Sequence, residues 1–151
     1  MNRFVPSSPR PGSHPPSGFA KDARAGESHE VRRATILVVD DEDDARGFLR
    51  AALTGVGFDF LEASSGTQAL EVLEGGRPDL LIVDVMMPGM TGFELCARLR
   101  LRDDTRNLPI ILYSAFPMRH SNAGLYQRAF VKPADLEELL HAIRSLLPDP
   151  L

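Results

Sequence analysis

Hydrophobic residues in this chain fall into two alternating patterns, short unbroken runs and stripes of helical spacing. Residues 35–39 (Thr-Ile-Leu-Val-Val), 80–83 (Leu-Leu-Ile-Val), 110–113 (Ile-Ile-Leu-Tyr) and 129–131 (Ala-Phe-Val) are the runs. Such runs, without in–out alternation, predict strands covered on both faces, as in a parallel sheet. A weaker strand is expected over 58–63. Between the runs, Ala45, Phe48, Leu49, Ala52 and Leu53 recur at i, i+3, i+4, i+7 and i+8 and predict an amphipathic helix, stopped by Gly55 and Gly57. Ser65-Gly-Thr-Gln68 has the form of a capping box and opens a second helix with Ala69, Leu70 and Leu73 on one face. Gly75, Gly76 and Pro78 end it. A third helix is expected over 93–101. The last carries Leu136, Leu139, Leu140, Ile143 and Leu147, with Asp135 and Glu138 as cap and partner. Pro117 and Gly124 leave room in 116–128 for only a short fourth helix. Five strand–helix units with short links predict an α/β fold, a five-stranded parallel sheet with helices on both faces.

The runs end on polar groups. The first ends on Asp40, Asp41 and Glu42, the second on Asp84, the third on Ser114, and the fourth on Lys132-Pro133. In an open α/β sheet, ligands sit beyond the carboxyl ends of the strands, so these groups form the candidate site. Clustered carboxylates repel, and a divalent cation relieves them. Oxygen donors with room for water suit magnesium, which keeps coordination positions for phosphate oxygens. Asp84 is then a candidate nucleophile, because carboxylates can form aspartyl phosphates. Lys132 adds a second cation and Ser114 a hydroxyl, the charge neutralisation and positioning that phosphoryl transfer needs.

Composition narrows the picture. At 151 residues, one domain is the expectation, and 43% hydrophobic and 25% charged residues are ordinary for a soluble globular chain. The net charge of −4 is unevenly placed. Residues 1–33 carry six Lys/Arg and three acids, while 34–151 carry 11 basic and 18 acidic groups. A domain of net −7 repels nucleic-acid phosphates, so direct nucleic-acid binding is not expected. Residues 1–33, with five Pro, five Ser and three Gly, predict a disordered tail. No apolar h-region follows Arg3, so a secretory signal is not expected. The single Cys96 leaves no internal disulfide and reads as a small buried hydrophobe. No apolar run nears the ~20 residues that span a bilayer, so no membrane partner is expected and the expected location is the cytoplasm. Met86, Met87 and Met90 read as loop and edge packing, and His14, His29, His120 and His141 fit no metal or relay pattern.

Residues 34–147 resemble a response-regulator receiver domain, the phosphoacceptor module of two-component signalling, with 1–33 and 148–151 as tails. The resemblance rests on Val38-Val-Asp-Asp-Glu42, then Asp84-Val-Met-Met-Pro-Gly-Met-Thr-Gly92, then Ser114-Ala115 and Lys132-Pro133. Each fragment alone is weak; in order, on strand ends, the set is specific. The intervals of 44 residues from Asp40 to Asp84 and 30 from Asp84 to Ser114 fit the family. The resemblance implies a flavodoxin-like sheet in the order 2-1-3-4-5. It also implies that Asp84 accepts a phosphoryl group from a sensor histidine kinase or histidine phosphotransfer protein. Asp40, Asp41, Asp84 and the main-chain carbonyl of Met86 would hold Mg2+. Ser114 would bond the phosphoryl oxygen and shift on activation, and Lys132 would pair with it before a cis peptide at Pro133.

Two departures stand out. The 18 residues from Ser114 to Lys132 are short for the family and imply a truncated fourth helix. The aromatic residue expected three positions before the lysine is replaced by Ala129, with Phe130 one place late. Strand alternation sends Phe130 to the opposite face, unless the strand carries a bulge. The leading expectation is a stand-alone receiver with only self-phosphorylation and self-dephosphorylation activity, signalling through contacts with an unknown downstream protein. The alternative is a phosphorylation-independent interaction module using the altered face of residues 116–128 and the fifth strand. A haloacid-dehalogenase-type phosphatase fits poorly, because Asp41-Glu-Asp43 lacks the Thr or Val expected within two residues.

Overall fold

The computed structural model describes residues 32–117 and 124–148. In chain order these form β1 (Thr35–Val39), α1 (Asp43–Gly55), β2 (Asp59–Ala63), α2 (Gly66–Gly75) and β3 (Leu80–Val83). α3 (Gly92–Arg100), β4 (Ile110–Ser114), β5 (Arg128–Val131) and α4 (Leu136–Leu146) follow. All strand pairs are parallel, and the sheet order is β2-β1-β3-β4-β5. The expected tail 1–33 lies outside the described residues, except for Arg32 and Arg33. The expected short helix in 116–128 falls mainly on 118–123, also outside them; the flanking 116–117 and 124–127 are not helical.

The apolar runs explain the layering. Alternate residues of β1, β3 and β4 feed two cores, so every residue of β3 is buried. On one face, Leu37, Leu81 and Leu112 meet Ala69 and Leu73 of α2 and Leu95, Cys96 and Leu99 of α3. On the other, Ile36, Ile82 and Ile111 meet Leu49 and Leu53 of α1 and Leu139, Leu140 and Ile143 of α4. Cys96 is a core residue, and burial pushes its thiol up to about 11. Ser65 and Thr91 accept from the third backbone N–H of their helices, and Asp135 accepts from Glu137 and Glu138. Gln68 does not close its box onto Ser65; its side-chain oxygen takes the N–H of Ser64 instead.

The α1 stripe is rotated from its expected position. Phe48 is 57% exposed, and Arg46 is buried beside Leu49 and Leu53. At about 100° per residue, Arg46, Leu49 and Leu53 share one face, and Phe48 lies roughly 130° from its centre. The guanidinium finds anionic and carbonyl partners beneath the helix, which a phenyl ring would have left unpaired.

β5 is an edge strand of regular register, with Tyr113 opposite Phe130 and Ser114 opposite Val131. No bulge interrupts it. Phe130 therefore packs on the α1/α4 side, and Ala129 is exposed on the other. Arg100 holds the approach to this strand, donating to the carbonyls of Leu108 at 2.8 Å, Arg106 at 3.0 Å and Leu125 at 3.1 Å.

Candidate functional site

The carboxyl ends of β1, β3, β4 and β5 bring Asp40, Asp84, Ser114 and Lys132 to one rim of the sheet. Asp40 continues β1, its N–H bonded to the Ala63 carbonyl at 3.1 Å. Asp84 continues β3 through its N–H to the Val39 carbonyl at 2.9 Å. Both are buried, at 2% and 6% exposure, and Asp41 is exposed. One carboxylate oxygen from each of Asp40, Asp41 and Asp84 lies within 4.8 Å of the other two.

A tight loop follows Asp84. The Gly92 N–H bonds the Val85 carbonyl at 2.9 Å, folding the loop back on itself. A Cβ at Gly92 would sit 2.3 Å from the Asp84 carbonyl oxygen, so only glycine closes this loop without moving the aspartate. Gly89 takes a φ of +77°, where a side chain is strained. Met87 is buried in the core, while Met86 is 59% exposed. The Met86 N–H faces the Asp84 carboxylate and favours its charged form.

Lys132 supplies the local cation. Its Nζ lies 2.6 Å from Asp40 Oδ2 and 3.8 Å from Asp84 Oδ2, and 5.4 Å from the centre of the Tyr113 ring. The Lys132–Pro133 peptide is cis. Burial alone would lower the ammonium, but the hydrogen bond to Asp40 and the charges of Asp40, Asp84 and Glu42 outweigh it, so its pKa is raised. Burial raises the Asp84 carboxyl, opposed by Lys132 and the Met86 N–H and assisted by the charges of Asp40 and Asp41. One lysine among these carboxylates leaves excess negative charge, and hard oxygen donors at this spacing fit a magnesium ion. Ser114 is 1% exposed, its Oγ accepting from the Phe116 N–H at a long 3.5 Å.

Two residues near the site were not legible from the hydrophobic pattern. Arg46 donates from Nη1 to the Asp40 carbonyl at 2.6 Å and from Nε to Glu62 at 3.2 Å, and Nη2 pairs with Asp43. Tyr113 sits beneath Lys132, its hydroxyl accepting from the Ala134 N–H at 3.4 Å. The available signal for Arg46 was a charged residue inside an apolar stripe.

This fold, with acids at the ends of β1 and β3 and a lysine after β5, can be compared with known proteins. The response regulator receiver domain model matches residues 36–144, and the chain belongs to that family of two-component signalling proteins. It is 42% identical to the response regulator MprA of Mycobacterium ulcerans (strain Agy99) over 116 residues, 74% of this chain and 49% of that protein. MprA of Mycobacterium leprae (strain TN) is also 42% identical over 116 residues, 74% of this chain and 50% of that protein. The chain thus spans about half the length of the curated relatives it matches. Among solved structures, Vibrio cholerae chemotaxis protein CheY4 aligns with a TM-score of 0.72 and 29% identity, covering 77% of this chain and all of that one. Thermotoga maritima response regulator TrrA, in complex with Mg2+ and BeF, aligns at 0.69 and 32%, covering 76% of this chain and 99% of that one. Receiver domains bind Mg2+ at an acidic pocket and interact with histidine kinases or phosphotransfer proteins. Among the described residues, no helix is long and apolar enough to cross a membrane.

Proposed function

We propose that this chain is a phosphorylatable receiver in which Asp84 takes a phosphoryl group from a sensor histidine kinase or a histidine phosphotransfer protein. The observation that carries this reading is the convergence of Asp40, Asp41 and Asp84 within 4.8 Å, with Lys132 bonded to Asp40 and Ser114 at the end of the next strand. An Asp84 carboxylate oxygen attacks phosphorus as the bond to the donor's imidazole nitrogen breaks, leaving an aspartyl phosphate and a free histidine. Asp40, Asp41, Asp84 and the main-chain carbonyl of Met86 would hold Mg2+, and the ion would supply charge neutralisation for the phosphoryl oxygens. Lys132, 3.8 Å from Asp84, moves from a carboxylate neighbour to a phosphoryl partner. Ser114 donates its hydroxyl to a phosphoryl oxygen.

The signal passes to a downstream protein through surface contacts. The regular β5, with Phe130 on the α1/α4 side, supports a readout that does not couple Ser114 to an aromatic at position 129.

The test is phosphate incorporation from a small acyl-phosphate donor, with and without magnesium, in the native chain and Asp84→Asn. The expected result is magnesium-dependent, base-labile labelling that disappears in Asp84→Asn. Absence of labelling in a folded native chain would sink the reading. It would favour the phosphorylation-independent interaction module, using the exposed Phe116, Ala129 and Val131.

A further inference from the structure

Asp40 is held at each of its polar atoms by a different part of the fold. Its N–H bonds the Ala63 carbonyl of β2 at 3.1 Å. Oδ1 accepts from the Glu42 N–H at 3.0 Å, and Oδ2 from Lys132 at 2.6 Å. The remaining atom, the carbonyl oxygen, accepts from Arg46 Nη1 at 2.6 Å. That carbonyl belongs to the peptide joining Asp40 to Asp41. A peptide group is planar, so gripping its oxygen sets the direction in which the chain leaves one candidate ligand and enters the next. Asp41 is exposed, and this peptide is its connection to the buried end of β1.

Arg46 occupies a position in the α1 stripe that an apolar residue would fill, and is 8% exposed. Its guanidinium reaches acceptors on three elements: the end of β1, Asp43 in the first turn of α1, and Glu62 of β2. Glu62 also pairs with Arg50, which ties it in place beside the Arg46 guanidinium. A planar fork with five donors meets these acceptors together; an ammonium point charge cannot.

We propose that Arg46 is the positioning residue of the magnesium site, turning the Asp40–Asp41 peptide so that both carboxylates converge with Asp84. This rests on the magnesium reading above. Removing a positive charge near a cation site by itself tightens cation binding, so a charge effect and a geometric effect have opposite signs here. Partners that orient metal ligands typically contribute about 10- to 100-fold in affinity.

The experiment is calorimetric titration of the full chain with magnesium chloride alone, comparing native, Arg46→Lys and Arg46→Met. The stoichiometry reports the folded fraction, and the Kd reports the geometry of the folded site. Arg46→Lys keeps the charge and loses the fork, and its Kd is expected to rise about tenfold. Arg46→Met is expected to weaken binding at least as much, despite the lost positive charge. If Arg46→Met does not fold, Arg46→Lys decides alone. A native-like Kd for Arg46→Lys, or tighter binding by Arg46→Met, would overturn the proposal and leave Arg46 as a charge or packing group. No binding by the native chain would instead take down the magnesium reading, and this inference with it.

Discussion

The two halves of the site rim are built differently. On the β1/β3 side, Asp40 has all its polar atoms bonded, and Asp84 is closed in by a loop that tolerates only glycine at position 92. On the β4/β5 side, the Ser114 hydroxyl takes a long hydrogen bond from Phe116, although its carbonyl accepts from the Lys132 N–H at 2.7 Å, and Phe116 and Val131 are 60% and 46% exposed. β5 is paired on one side only and exposes three of its four residues. The contrast separates two physical tasks. Carboxylates that repel one another stay together only when over-determined, whereas a hydroxyl with few competing bonds is free to turn. Lys132 spans the two halves, reaching from the end of β5 to Asp40.

Cutting that tie is expected to give the largest effect. Lys132→Met leaves buried Asp40 and Asp84 without their cation, and breaking a buried ion pair costs about 3–5 kcal/mol. Because Lys132 is partly exposed, about 3 kcal/mol is expected in denaturant unfolding without magnesium, with a smaller loss when magnesium is added. A loss equal with and without magnesium would show that the lysine acts by packing.

Gly92→Ala attacks the tight half directly. Glycine to alanine in a helix ordinarily stabilises, but here the new methyl meets the Asp84 carbonyl, and overpacking of this kind costs about 1–3 kcal/mol. The expected result is a lower urea midpoint together with weaker magnesium binding.

Asp84→Asn separates charge from shape. Burial holds the Asp84 carboxyl above its ordinary 3.8. The folded protein therefore binds this proton more tightly than the unfolded chain. The resulting stabilisation is present below 3.8 and is lost as pH rises through the raised value. Without magnesium, the asparagine variant is expected to melt higher than the native chain at pH 7, with the difference closing below pH 3.8. A lower melting point at pH 7 would mean that the attraction of Lys132 dominates.

The smallest effect is expected in the loose half. Ala129→Tyr adds an aromatic ring to an exposed edge position, and such surface changes fall within about 0.5 kcal/mol. A larger stabilisation would show that a ring at position 129 finds a packed place beside Ser114.

Much of this was legible in the sequence because it rests on local rules. Unbroken apolar runs located β1, β3 and β4 to within a residue, and the caps at Ser65, Thr91 and Asp135 lie at or beside the expected helix starts. Polar residues at strand ends located Asp40, Asp84, Ser114 and Lys132, since strand ends share one rim in a parallel sheet. The α1 face was less legible. Pattern counting puts Phe48 on the buried face, and Arg46 is buried instead because Glu62 and the Asp40 carbonyl lie under the helix. The placement of the Tyr113 ring beneath Lys132 was likewise a matter of direction, which spacing does not encode.

The sequence by itself determined the element order, the parallel sheet and the acids, hydroxyl and amine along its rim. Each follows from periodicity, turn chemistry and strand polarity within short windows. Only the tertiary structure decided which charges are buried, which carbonyl Arg46 grips, and which face Phe130 takes beside Tyr113. Those outcomes depend on groups far apart in the chain, such as Asp40 and Lys132 at 92 positions' separation, whose energies exist only once the sheet has brought them together.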